Sequence, residues 1–92
     1  MKRVVHKYTL VANTFQTVPV PKGGEFLEAR EQHGEIAVWF MCNPREEIEN
    51  KHIAVFGTGH PFEIEKVGRY LGQAQLENGA FIFHIFEAHN GS

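Results

Sequence analysis

A chain of 92 residues holds one hydrophobic core and excludes a second domain. Its 42% hydrophobic and 22% charged residues exclude a solvated, disordered chain, and its net charge of −2 excludes a general nucleic-acid binder. A single cysteine, Cys42, excludes an intrachain disulfide and suits a reducing compartment.

In chain order, residues 4–11 read as a first strand and 14–20 as a second. Pro19 and Pro21 lack the backbone N–H that a central ladder needs, which confines the second strand to an edge or a turn. After Lys22-Gly23-Gly24, residues 25–32 alternate in part, and His33-Gly34 supplies a hairpin turn into 35–42. Ala37-Val38-Trp39-Phe40-Met41 is apolar on both faces and predicts a central strand.

Asn43-Pro44 opens a polar loop. A fifth strand, 51–56, runs into the turn Gly57-Thr58-Gly59-His60-Pro61. Residues 62–67 predict one short helical turn, and 68–76 and 80–87 the last two strands. Between them Asn78-Gly79 predicts a type I′ hairpin turn, which needs positive φ at both central positions. In the last strand Phe81, Phe83 and Ile85 share one face and Ile82, His84 and Phe86 the other, so both faces need cover. The tail 88–92 is expected to fray.

Strand signals recur about every ten to twelve residues, the spacing of all-β domains. The expected fold is a single all-β domain over 1–92, a small antiparallel sandwich or barrel of about seven strands. Eight Phe, two Tyr and one Trp supply more apolar surface than one small core hides, which predicts a homo-oligomer. His6, Lys7 and Tyr8 interrupt what a signal peptide needs as an apolar segment, and no run approaches the roughly 18 apolar residues of a membrane span. A soluble, intracellular protein is the expectation.

Chemistry concentrates in Gly57-Thr58-Gly59-His60-Pro61. Successive amides of a glycine turn form anion-binding nests, and Thr58 and His60 add donors. No G-x-x-x-x-G-K-[ST] pattern makes it a P-loop. The six histidines form no H-x-H or H-x-x-x-H pair, so no metal site is expected. Arg69 places a guanidinium fork next to Tyr70, and forks of this kind grip phosphate bidentately. His84, beside Phe86 on one face, and Trp39 are aromatic candidates for stacking on a base, with core packing as their alternative. Nucleophilic signatures are weak: no G-x-S-x-G elbow exists, and Cys42 follows Trp39-Phe40-Met41 as a buried, unreactive thiol. An acid–base pair of His60 with Glu63 or Glu87 is the enzymatic alternative.

His6-Lys7-Tyr8, the Pro-Lys-Gly-Gly segment, Gln32-His33-Gly34, Trp39, Gly57-Thr58-Gly59-His60-Pro61, Tyr70-Leu71-Gly72 and Phe83-His84-Ile85-Phe86-Glu87 follow one another in a recurring order. Together they resemble a family of small proteins encoded mainly by bacteriophages and prophages, a domain of unknown function. The likeness runs from His6 to Glu87. Cys42-Asn43-Pro44 departs from it where an acidic residue precedes the proline, and Ala74 where Thr or Val stands.

The resemblance implies a phage accessory protein in the host cytoplasm, acting against host defence. One such strategy is a sponge, which sequesters a nucleotide immune signal, an ADP-ribose derivative or a cyclic nucleotide, without degrading it. On that reading Gly57, Thr58, Gly59 and His60 take the phosphates, Arg69 is the charge partner, and Tyr70, Trp39 or His84 hold the base. No cofactor, metal or membrane is expected. The alternatives are a metal-free hydrolase or lyase on the same signal, and a module that inhibits a host protein by contact.

Overall fold

Period-two alternation and turn chemistry divide the chain into strands β1 (Val4–Leu10), β2 (Thr14–Pro21), β3 (Glu25–Gln32), β4 (Glu35–Cys42), β5 (Ile48–Gly57), β6 (Val67–Leu76) and β7 (Phe81–Ala88). The structure is a computed structural model and describes residues 2–89. The strands form two antiparallel sheets, ordered β1-β4-β3 and β2-β5-β7-β6. This is the expected all-β fold. A 3₁₀ turn at Ile64–Lys66 occupies the predicted helical position. Among the described residues no helix is long and apolar enough to cross a membrane.

The punctuating residues act as their chemistry requires. β2, with its prolines, is an edge strand. β4 is the central strand of its sheet and carries Ile36, Val38 and Phe40 into the core. His33 (φ 52°) and Gly34 (φ 79°) turn β3 into β4 with Gln32 opposite Glu35. The β6–β7 turn is wider than the two-residue hairpin predicted. Leu76 pairs with Phe81, and Glu77, Asn78 and Gly79 all take positive φ. The amides of Gly79 and Ala80 donate to the carbonyls of Leu76 and Glu77, two overlapping left-handed turns in place of one.

β5 begins earlier than expected because Ile48 pairs with Pro21, and the Lys22 amide donates to the Glu47 carbonyl at 2.7 Å. At the other end β7 includes Ala88, and the His89 amide donates to the Lys66 carbonyl at 3.1 Å. The tail expected to fray from residue 88 is therefore held through His89; 90–92 lie outside the described residues.

Val20, Val38, Val55, Ile53 and Ile85, each at most 1% exposed, make the core between the sheets. On the outer face of the four-stranded sheet Ala54, Phe56 and Val67 form a second cluster with Phe15, Phe86 and Ala88 against it. β7 is therefore apolar on both sides for two reasons: Ile85 faces the other sheet and Phe86 faces outward. Along one side β6 closes on β3. At Gly72 an added Cβ would stand 2.7 Å from the Ala29 carbonyl oxygen, so only glycine permits that approach.

Candidate functional site

The outer face of the four-stranded sheet gathers its aromatic residues through strand register. Ala54 and Tyr70 lie opposite Phe86, and Phe56 lies opposite His84. Past the end of β5 the chain folds back, because Gly59 takes φ +89° and Pro61 prevents the ladder from continuing. That return lays His60 parallel to Phe56 with ring centres 5.4 Å apart, and Phe62 parallel to Phe56 at 4.8 Å. Phe86 meets Phe62 at 5.4 Å and the edge of Tyr70 at 5.1 Å. Phe56 is buried beneath this wall, whereas Phe62 is 38% and Tyr70 48% exposed.

Against the wall runs a short polar chain. The Thr58 hydroxyl lies 2.7 Å from His84 Nε2, and the Tyr70 hydroxyl lies 2.8 Å from His84 Nδ1. Both imidazole nitrogens are thus engaged, one accepting and one donating when the ring is neutral. Burial pushes the Tyr70 phenol above its ordinary value. Thr58 Oγ1 also stands 3.4 Å from the Ile82 carbonyl.

The turn is not the open anion nest expected of it. The Gly57 amide donates to Asn13 Oδ1 at 2.9 Å, the Thr58 amide to the Ile82 carbonyl at 3.1 Å, and the His60 amide to the Gly57 carbonyl at 3.0 Å. Gly59 carries the one turn amide with no partner among the described residues, and nothing lies within 4 Å of where its Cβ would be. The turn therefore presents a single amide, a hydroxyl and an imidazole.

Gly57, Thr58, Gly59, His60, Tyr70 and His84 come together around a surface hollow of about 180 Å³, walled by Phe56, Phe62 and Phe86. A second hollow of about 580 Å³ adjoins it, sharing Phe56, His60 and Phe62 and adding Lys66 and Glu63. Two expected members lie elsewhere. Arg69 precedes Tyr70 and so points to the opposite side of β6, where its guanidinium lies 5.5 Å from the Phe26 ring centre. Trp39 is on the outer face of the other sheet, under the Arg30 guanidinium at 4.7 Å, with Glu28 bridging Arg30 at 3.2 Å.

The three phenylalanines of the wall were legible only through Phe86, which shares a face with His84. The contact of Phe56 with Phe62 depends on the return of the loop, which no periodicity signals. Of the acid–base alternatives, Glu63 lines the hollow beside His60, whereas Glu87 lines the cleft between the sheets. Among the described residues no three His, Cys, Asp or Glu side chains gather as a metal site. Cys42 is fully buried, 3.6 Å from His6 Nδ1. Nearby, burial and then the charge of Cys42 raise the Tyr8 phenol.

A family model described as a domain of unknown function, DUF7352, matches residues 1–92. No curated protein and no solved structure matches the chain.

Proposed function

We propose that this chain, which belongs to the DUF7352 family, binds and holds a small nucleotide-type ligand on the outer face of its four-stranded sheet. The observation that carries the reading is the Thr58–His84–Tyr70 chain lying against exposed aromatic rings. A base offers an apolar face and a polar edge. Phe62 or Tyr70 takes the face, a contact worth about 1–3 kcal/mol where bases stack on aromatics. Hydroxyls, imidazoles and the Gly59 amide take the edge. The phosphate lies toward the adjoining hollow, where Lys66 and His60 are.

Sequestration of a host immune signal by a phage-encoded oligomer in the host cytoplasm is the biological form of this proposal. Its support is the resemblance carried by the Gly-Thr-Gly-His-Pro turn and the Phe-His-Ile-Phe-Glu end. Exposed Ile48, Ile64 and Phe81, none of them assigned to the ligand, supply apolar surface for a second copy.

One geometric observation favours a second reading, hydrolysis. Thr58 Oγ1 at 2.7 Å from His84 Nε2 has the spacing of a nucleophile and its base, with Tyr70 orienting the ring from the other nitrogen. The Gly59 amide, next in the chain and without a partner among the described residues, would serve on this reading as the donor to a developing oxyanion.

One experiment separates the readings. The protein is incubated with ADP-ribose derivatives and cyclic nucleotides, the mixture is filtered, and the retained protein is heated to release what it holds. Intact nucleotide in the released fraction supports holding, and altered nucleotide supports hydrolysis. Absence of depletion across the panel sinks both and leaves a contact inhibitor.

A further inference from the structure

A second concave site, independent of the outer face, opens between the two sheets. Its walls diverge from the close approach of Gly72 to Ala29, where β6 and β3 touch. The pairing of β6 with β7 shifts register between Val67 and Tyr70 and again between Tyr70 and Gly72, and bulges of this kind twist a strand and re-aim its side chains. Tyr70 consequently faces the outer aromatic wall, while Arg69 and Leu71 face the cleft. The volume is about 490 Å³, within the range of small-ligand pockets.

The floor is apolar: Phe26, Phe40, Ile53 and Leu71 line it, and Ile53 and Phe40 belong to the core. The rim carries two basic and two acidic side chains, Lys51, Arg69, Glu49 and Glu87. Lys51 is neutralised by Glu49 at 3.2 Å. Glu87 Cβ and His89 Cε1 each lie 3.6 Å from where a Cβ on Gly68 would stand. Arg69 makes no ion pair among the described residues and rests over Phe26. The Arg69 guanidinium therefore stands over an aromatic floor at the mouth of a cleft with a polar rim, on which the Glu87 carboxylate also lies.

We infer that this cleft binds a small amphipathic anion, its carboxylate or phosphate on Arg69 and its apolar body on Phe26, Phe40 and Leu71. A guanidinium pairs with either acid group in the same bidentate geometry. The chemistry differs from that of the outer face, which has aromatic rings and hydroxyls but no arginine. The inference goes beyond the proposed function and does not depend on it.

The test is a titration of the full chain with sodium octanoate, and in parallel with octyl phosphate, followed by backbone amide resonances. Expected are saturable shifts at Phe26, Ile53, Arg69 and Leu71 with Thr58 and His84 unmoved. Octyltrimethylammonium, with the same tail and the opposite charge, is expected to move none of them. Arg69→Met keeps the apolar stem and should weaken both acids about tenfold, with Arg69→Lys intermediate. The relative strength of the two acids decides between a carboxylate and a phosphate ligand. Unsaturable shifts, equal binding of the cation, or undiminished binding by Arg69→Met would overturn the site. Shifts confined to Thr58 and His84 would overturn it as well and move the anion to the outer face. Failure of nucleotide capture, by contrast, leaves these cleft resonances unaffected.

Discussion

Thr58 Oγ1 and His84 Nε2 stand 2.7 Å apart although the two residues are 26 positions apart in the chain. The contact exists because Phe56 pairs with His84 across the β5–β7 ladder and the Thr58 amide continues that line to the Ile82 carbonyl, which leaves the Thr58 side chain diagonal to His84 on the same face. His84→Ala removes the shared partner of two hydroxyls. Thr58 and Tyr70 are both exposed, so water replaces the lost bonds and stability falls by about 0.5–1.5 kcal/mol. Nucleotide capture in the filtration assay should be lost while the elution volume on gel filtration stays unchanged. Capture at the parental level would remove His84 from the site.

The core and the aromatic wall should respond differently to truncation. Ile85 is fully buried between the sheets, so Ile85→Ala leaves a cavity and costs about 2–5 kcal/mol in a urea or thermal unfolding curve. Phe62→Ala removes a ring that is 38% exposed, which should cost clearly less while weakening capture. Equal stability losses would mean that Phe62 is a core residue and that the wall is structural.

Gly72→Ala tests the contact between the sheets. The new methyl would stand 2.7 Å from the Ala29 carbonyl oxygen, which belongs to backbone and cannot rotate away, and φ at this residue is +155°. Separation of β6 from β3 should cost about 1–3 kcal/mol, the range of overpacked cores. Gly34→Ala is the control, since open space surrounds its Cβ position and only its positive φ opposes the change. A Gly72→Ala variant as stable as the parent would show that the sheets are free to part there.

Local signals placed the elements in this fold and tertiary ones placed the site. Pro19 and Pro21 marked an edge strand, His33-Gly34 a tight turn, and 37–41 a central strand, because each rests on a constraint within a few residues. The wider β6–β7 turn escaped because Glu77 adopts φ 51°, a conformation its type rarely takes. Arg69 and Tyr70 looked like one cluster because they are adjacent, yet neighbours on a strand face opposite ways. Trp39 and His84 sat on different sheets, which periodicity alone does not assign. Thr58 with His84 was legible as two candidates and not as a pair, since their contact depends on register.

Alkaline titration follows from the two phenols. Burial raises Tyr70 above 10.0, and burial with the Cys42 charge raises Tyr8. An acid whose folded pKa lies above its unfolded one is held neutral by the fold. The unfolded chain releases its proton first, so the stabilisation present below the unfolded pKa is lost as pH rises through the folded value. Tyrosinate absorbance of the native protein should therefore develop above pH 10.0 and unfolding should become easier over the same range. Tyr70→Phe should halve the native absorbance change; no reduction would mean that Tyr70 does not titrate in the folded state.

Trp39 gives the clearest separation between the two sheets. It is the only tryptophan, and it lies beneath Arg30 on the outer face of the three-stranded sheet. A nucleotide on the aromatic wall touches the opposite outer face, with the whole core between. Its uptake should leave the wavelength of tryptophan emission unchanged, and Trp39→Phe should capture nucleotide as the parent does. Arg30→Ala, which uncovers the indole, should instead shift the emission to longer wavelength without affecting capture. If nucleotide moves the emission and Trp39→Phe abolishes capture, the ligand sits on the three-stranded sheet, and the Thr58–His84–Tyr70 chain is a structural clasp between β5, β6 and β7.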